Sequence, residues 1–405
     1  MLRPVRLTHP LVAASIGLLG GGLLTIGASP RRRANADVPT LSADALKPGM
    51  KGYGLTVFSG TEPEKFDVEV INVLHKFRPN QDLVLIKTIH PRLEQVKVVA
   101  GMSGSPIFIN DGGTAKLLGA YAYGWPFGTE PVAGVTPIES MQKELNRGLS
   151  PFLPPPAGKA PLAGPAGSAV KKASLDASTT DDRSAVAWRG EPGTWTLEAH
   201  AKQVAARLGG GPATPTSPQP VDTPLMIGGL SERSIKQLGA MVSPLGLVPL
   251  QAGGAGAGVA KDAPQHFVDG GGIAVSLARG DFSAQGVGTV THVVGNKVLA
   301  FGHPMMELGA THLPTAVARI LWVMSSSQRS FKMGEPVRPL GTLIQDRESC
   351  IVIDENIVAP TIPVAVEILG DPTAPKTKWA SEIVHDKFMS PMWSAVAFGE
   401  ALDVT

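Results

Sequence analysis

Cysteine is almost missing from this chain: Cys350 is the only one in 405 residues. That excludes an intrachain disulfide framework and a cysteine-rich metal site, and it leaves Cys350 as a small buried residue in a strand. Net charge is scarce as well. With 36 basic against 34 acidic residues the formal charge is only +2, which removes the electrostatic argument for a nucleic-acid partner. The nine histidines are scattered, with no H-E-x-x-H string and no paired Cys/His spacing, so no metal is expected. The run Gly270-Gly271-Gly272 precedes a strand and does not open a helix, so it offers no phosphate cradle. No cofactor is expected on these grounds.

What the chain does have is turn-forming residues and apolar bulk. It holds 47 Gly and 36 Pro, with 43% hydrophobic and 17% charged residues, a balance that favours a β-rich fold with a buried core over helical bundles. The length accommodates two domains and a linker. Arg3 and Arg6 precede an apolar stretch from Leu11 to Ala28, and Ala34-Asn35-Ala36 follows with A-x-A spacing. Residues 1–36 therefore read as a signal peptide or an uncleaved N-terminal anchor, with Arg31 to Arg33 unusual for the former. Either way the chain is expected to be exported to a periplasmic, cell-envelope or extracellular location, with membrane association through the apolar segment as one alternative.

Residues 37–150 read as a serine-bearing β domain. Strand patterns cover Lys51 to Phe58, Phe66 to Leu74, Asp82 to Thr88, Pro106 to Asn110 and Leu117 to Tyr123. A helix is expected after Thr136 as N-cap, with Pro137 first and Glu139 completing a capping box, and with Ile138, Met141 and Leu145 inward. Residues 151–262 read as a Pro/Ala/Gly-rich linker with short helices, one at Thr194 to Leu208 and one after Ser231, and a glycine hinge at 253–258. Residues 263–405 read as a histidine-bearing β domain whose first meander, Gly271 to Arg279, Gly286 to Val294 and Lys297 to Phe301, ends at Gly302-His303-Pro304. The fold class expected is mainly β, two trypsin-like, barrel-like halves with a few short helices.

The string Gly101-Met102-Ser103-Gly104-Ser105-Pro106 between two strand patterns carries the chemistry. Glycine permits the tight bend, Ser103 supplies a hydroxyl, and the Gly101 and Ser103 amides are candidate oxyanion donors. The plain alternative is a Gly/Ser-rich β-turn. Ser105 is the competing nucleophile, but it stands before proline. A serine needs a base near neutral pH, and His303 at a strand end is the candidate.

Three blocks, Pro48 to Gly54, Gly101 to Pro106 and Ala300 to Pro304, together resemble the SpoIVB-type serine peptidases. The resemblance covers short blocks within residues 45–145 and 270–350. It implies Ser103 as nucleophile and His303 as base, the latter in a segment where Phe301 replaces the family's leucine. It also implies a trypsin-like fold with serine and histidine blocks in permuted order. The family places its acidic member in an Asp-Pro-Arg-Leu run, where this chain has His90-Pro91-Arg92-Leu93. A histidine cannot replace that carboxylate, so Asp346 and Glu307 become the candidate orienting carboxylates, and a Ser-His dyad stays open. No PDZ module is recognisable.

The expected function is an exported serine endopeptidase-like hydrolase acting on a protein or peptide substrate. The rival expectation is an inactive peptidase-like protein that binds envelope proteins or peptides, and a third is a structural envelope protein.

Overall fold

The computed structural model describes residues 38–125, 128–149, 199–200, 202–203, 217–252, 259–260, 262–326, 329–369 and 374–403. The N-terminal apolar segment, the Pro-rich stretch 151–198, most of the helix expected at 194–208 and the hinge at 253–258 lie outside them. Among the described residues, no helix is long and apolar enough to cross a membrane.

The first eight strands are β1 (Lys51–Thr56), β2 (Glu64–Arg78), β3 (Gln81–Ile89), β4 (Val99–Ala100), β5 (Pro106–Asp111), β6 (Thr114–Gly124), β7 (Val132–Pro137) and β8 (Gln219–Pro220). Six of them close a ring in the order β1-β2-β3-β7-β6-β5, with β5 returning to β1 and every pairing antiparallel. Alternation dictates which side chains fill it: Phe66, Val68 and Val70 point inward between Lys65, Asp67 and Glu69. Ile71 follows in the same phase and is exposed, and a register shift between Val70 and Asn72 then reverses the phase, leaving Asn72 exposed and Val73 half-buried.

The remaining strands are β9 (Thr223–Gly228), β10 (Leu247–Gln251), β11 (Gly272–Gly280), β12 (Ser283–Val294), β13 (Lys297–Ala300), β14 (Gly309–Met324), β15 (Ser330–Arg347), β16 (Cys350–Asp354), β17 (Thr361–Glu367) and β18 (Lys378–Val384). Here too six strands close a ring, β11-β12-β13-β16-β15-β14, again antiparallel throughout. Numbering the strands of each ring one to six along the chain gives the same order twice, 1-2-3-6-5-4. The two barrel-like halves expected from the sequence are thus both present, and they share one connectivity.

Of the stretch read as linker, residues 219–251 contribute β8 to the edge of β6 and β9 and β10 to the edge of β12. Between β9 and β10 lies a helix, Glu232–Val242, capped by the Ser231 hydroxyl and burying Leu238 and Val242. With Pro91–Val96 (α1) and Ile138–Leu145 (α2) before it, it is α3, and Met389–Asp403 is α4, which buries Trp393 in the second core. The capping box expected at Thr136 does not form. Thr136 belongs to β7 and is fully buried, and α2 starts at Ile138 with no side-chain cap, because the Thr136 hydroxyl is drawn to the carbonyl of Gly302 at 2.6 Å.

The halves meet along an apolar seam in which Phe108, Leu117, Ala120, Ile138 and Met141 face Leu299, Ile344, Cys350 and Val352. Cys350 sits there as a buried free thiol whose pKa is raised by burial. Beside this apolar patch run the polar contacts that build the site.

Candidate active site

The serine turn connects β4 of one half to β5, and β4 itself pairs in parallel with β15 of the other half. Gly101 and Gly104 hold it with φ of 87° and 97°, values open to glycine and strained for other residues. At Gly104 space is as restrictive as angle: an added Cβ would lie 1.9 Å from the Thr289 carbonyl oxygen and 2.5 Å from the Phe301 nitrogen. The turn therefore lies directly against β12 and against the segment that leads into His303. Its amides of Met102, Gly104 and Ser105 donate to Val99, Tyr121 and Met102 carbonyls. Those bonds do not use the amides of Gly101 and Ser103.

Strand β12 clamps the turn from the second half. The Thr289 amide donates to the Ser103 carbonyl at 2.9 Å, the Thr289 hydroxyl to the Gly101 carbonyl at 2.9 Å, and the Thr291 hydroxyl to the Gly104 carbonyl at 2.8 Å. Two consecutive left-handed residues, Phe301 (φ 69°) and Gly302 (φ 72°), then turn the chain out of β13. Phe301 fits because Gly288 leaves its ring room, and Gly302 abuts Ala120 and Ala122 of β6. Sharp turning at these two positions delivers His303 into the seam between the halves.

Ser103 and His303 are both buried, at 0% and 2% exposure, and the Ser103 Oγ and His303 Nε2 atoms have no hydrogen-bond partner. They are not bonded to each other. His303 Nδ1 lies 2.7 Å from the Pro304 carbonyl, which makes Nδ1 the protonated nitrogen and leaves Nε2 with its lone pair. Burial pushes the imidazole down to about 4; the Pro304 carbonyl opposes that, the Arg78 charge adds to it, and the Val221 carbonyl beside the ring opposes it. The ring is accordingly neutral at pH 7.

Neither candidate carboxylate orients the ring. Asp346, fully buried at the end of β15, accepts from the amides of Met305 and Met306 at 2.8 Å and of Leu308 at 3.2 Å. It fixes the loop that follows His303, and the imidazole's own hydrogen bond goes to a backbone carbonyl instead. Burial raises Asp346 to about 6, the three amides pull it back, and the charge of Glu307 adds to the rise. Glu307 stands in that same loop at φ 55°. His90 is occupied elsewhere: it caps α1 through Nδ1, which accepts from the Arg92 amide, and it stacks on Phe58.

Three residues that sequence reading passed over complete the surroundings. Lys332 of β15 is fully buried and donates from Nζ to Thr56 Oγ1 at 2.7 Å and Thr289 Oγ1 at 3.2 Å. Thr56 in turn lies 3.0 Å from Ser105 Oγ. Burial alone lowers the Lys332 amine to about 7. A phase signal existed for Lys332: in Ser330-Phe331-Lys332-Met333-Gly334 the apolar residues mark one face, but it is the other face that is buried.

One ordinary candidate for a metal is the exposed group Asp44, His75 and Asp82, where the His75 ring and the Lys76 amide already occupy Asp82. No family model, no curated protein and no solved structure matches this chain.

Proposed function

We propose that the protein is an exported serine endopeptidase-like hydrolase, with Ser103 as nucleophile, His303 Nε2 as its base and the Gly101 and Ser103 amides as oxyanion donors. The observation that carries this reading is the delivery of Ser103 and His303, from separate halves, into one seam where a hydroxyl and a bare imidazole nitrogen are both buried without partners. Unspent buried polar atoms are costly, and here one is a hydroxyl and another an imidazole nitrogen, the pair that acyl transfer uses. The resemblance to the SpoIVB-type peptidases supports the same pair.

In this reading the Pro304 carbonyl does part of the work of a triad's acid. It holds the proton on Nδ1, so Nε2 is the nitrogen able to accept the Ser103 proton and later return it to the leaving amine. A neutral carbonyl stabilises the imidazolium less than a carboxylate does, and a pKa near 4 makes the ring a weak base. Turnover should therefore be slow, and a protein or peptide substrate must part the seam to reach Ser103, which has no solvent exposure.

That closure is also what favours the second reading, an inactive peptidase-like fold that binds envelope proteins or peptides. Hydrolysis of an unfolded, fluorophore-labelled protein by the full chain separates the two. The peptidase reading expects slow cleavage that Ser103→Ala and His303→Ala each abolish; no cleavage above a Ser103→Ala control supports the binding reading instead.

A further inference from the structure

The serine turn carries two hydroxyls, and only one of them is joined to a base by hydrogen bonds. Ser103 Oγ has no partner. Ser105 Oγ, two residues on, lies 3.0 Å from Thr56 Oγ1, and Thr56 Oγ1 lies 2.7 Å from Lys332 Nζ. All three side chains are fully buried. Thr56 comes from β1, Ser105 from the turn and Lys332 from β15, so the chain of contacts crosses from one half to the other.

We propose that Ser105, Thr56 and Lys332 form a second nucleophile–base unit, one that acts on small electrophilic acyl esters independently of Ser103 and His303. At rest the Ser105 hydroxyl donates to the Met102 carbonyl at 2.7 Å. Rotation of that proton toward Thr56 Oγ1 lets Thr56 pass its own proton to the Lys332 lone pair while Ser105 Oγ attacks the acyl carbon. The Ser105 Oγ–C bond forms, the bond from carbon to the alcohol oxygen breaks, and the departing alcohol takes the proton held by Lys332. Water then hydrolyses the Ser105 ester to the free acid, with Lys332 again holding and returning one proton.

The surroundings suit an amine base. Thr289 Oγ1 spends its proton on the Gly101 carbonyl, so toward Lys332 it can only accept. No ion pair of Lys332 is found among the described residues, and no charged group of β1, β12, β14 or the turn adds to the effect of burial. An amine lowered to about 7 is neutral in about half the molecules at pH 7. Both turn serines lack solvent exposure, so acylation requires the turn to shift, which restricts the unit to small donors.

The test uses the full chain in its Ser103→Ala form, treated with a small alkyl fluorophosphonate, with the adduct mapped to the residue by tandem mass spectrometry. The expected result is an adduct on Ser105 whose formation rises with pH through about 7, falls roughly 100-fold in Lys332→Met and Thr56→Val, and survives in Thr56→Ser. The Thr56 pair keeps the test decisive where Lys332→Met does not fold. No adduct on Ser105, or an undiminished rate in a folded Thr56→Val or Lys332→Met protein, overturns the proposal.

Discussion

The two barrels repeat one strand order yet carry different halves of the proposed chemistry. The first holds the hydroxyls of Thr56, Ser103 and Ser105; the second holds the two nitrogen groups proposed as bases, His303 after β13 and Lys332 in β15. Neither half alone holds both a nucleophile and a base from these sets. Ser105 reaches Lys332 through Thr56, and Ser103 is held at the same seam by β12 without a bond to His303, so in the proposed reading docking of the halves is a condition for acyl transfer.

The seam is most easily broken at Gly104. Its φ of 97° and the 1.9 Å approach of an added Cβ to the Thr289 carbonyl predict that Gly104→Ala loses roughly 3–5 kcal/mol in urea denaturation. An unchanged midpoint would mean that the turn does not press on β12 as described.

Lys332 comes next. Its folded pKa of about 7 lies below the ordinary 10.5, so between these values the unfolded chain binds more protons and stability rises with pH. Lys332→Met should flatten a rise on the order of 3 kcal/mol between pH 7 and 10, followed by denaturation at a series of pH values.

His303 and Asp346 then offer a paired test within the second half. The His303 pKa is lowered to about 4, so its contribution grows as pH rises from 4 toward 6.5, whereas Asp346, raised to about 6, loses its contribution as pH rises from 3.8 through 6. The two effects nearly cancel in the parent. His303→Gln should expose a fall, and Asp346→Asn a rise, of about 2 kcal/mol across that window. Parallel profiles for both variants would contradict the assignments.

The smallest effect compares the serines. Ser105→Ala removes hydrogen bonds to Met102 and Thr56 and should cost about 1 kcal/mol, while Ser103→Ala, which removes a buried hydroxyl that has no partner, should leave stability unchanged or raise it. Thermal melts of the two variants side by side measure the difference.

Much of this architecture was legible. The patterns for β1, β2, β3, β5 and β6 fall within a few residues of the observed strands, as do those for β11, β12 and β13, and Ser231 does cap a helix. Strand β14 and the first half of β15 were not legible, because Pro314, Pro336 and Pro339 interrupt the alternation and register shifts absorb them. The same applies to β9 and β10, hidden in a stretch whose composition reads as linker. At the site, the local elements Gly101 to Pro106 and His303 could be picked out from motif and position. Thr136, Asp346 and Lys332 could not be placed in their roles, since each is decided by a partner far off in the chain: Gly302, the loop after His303, and Thr56 with Thr289.

The division of labour between the halves is tested most directly by fluorophosphonate labelling of the full chain carrying both His303→Ala and Lys332→Met, with the rate at Ser103 and Ser105 compared with the parent. The account predicts adducts on the turn in the parent and almost none in the folded double variant. Labelling of the turn at the parental rate, with both bases of the second barrel gone, would contradict it.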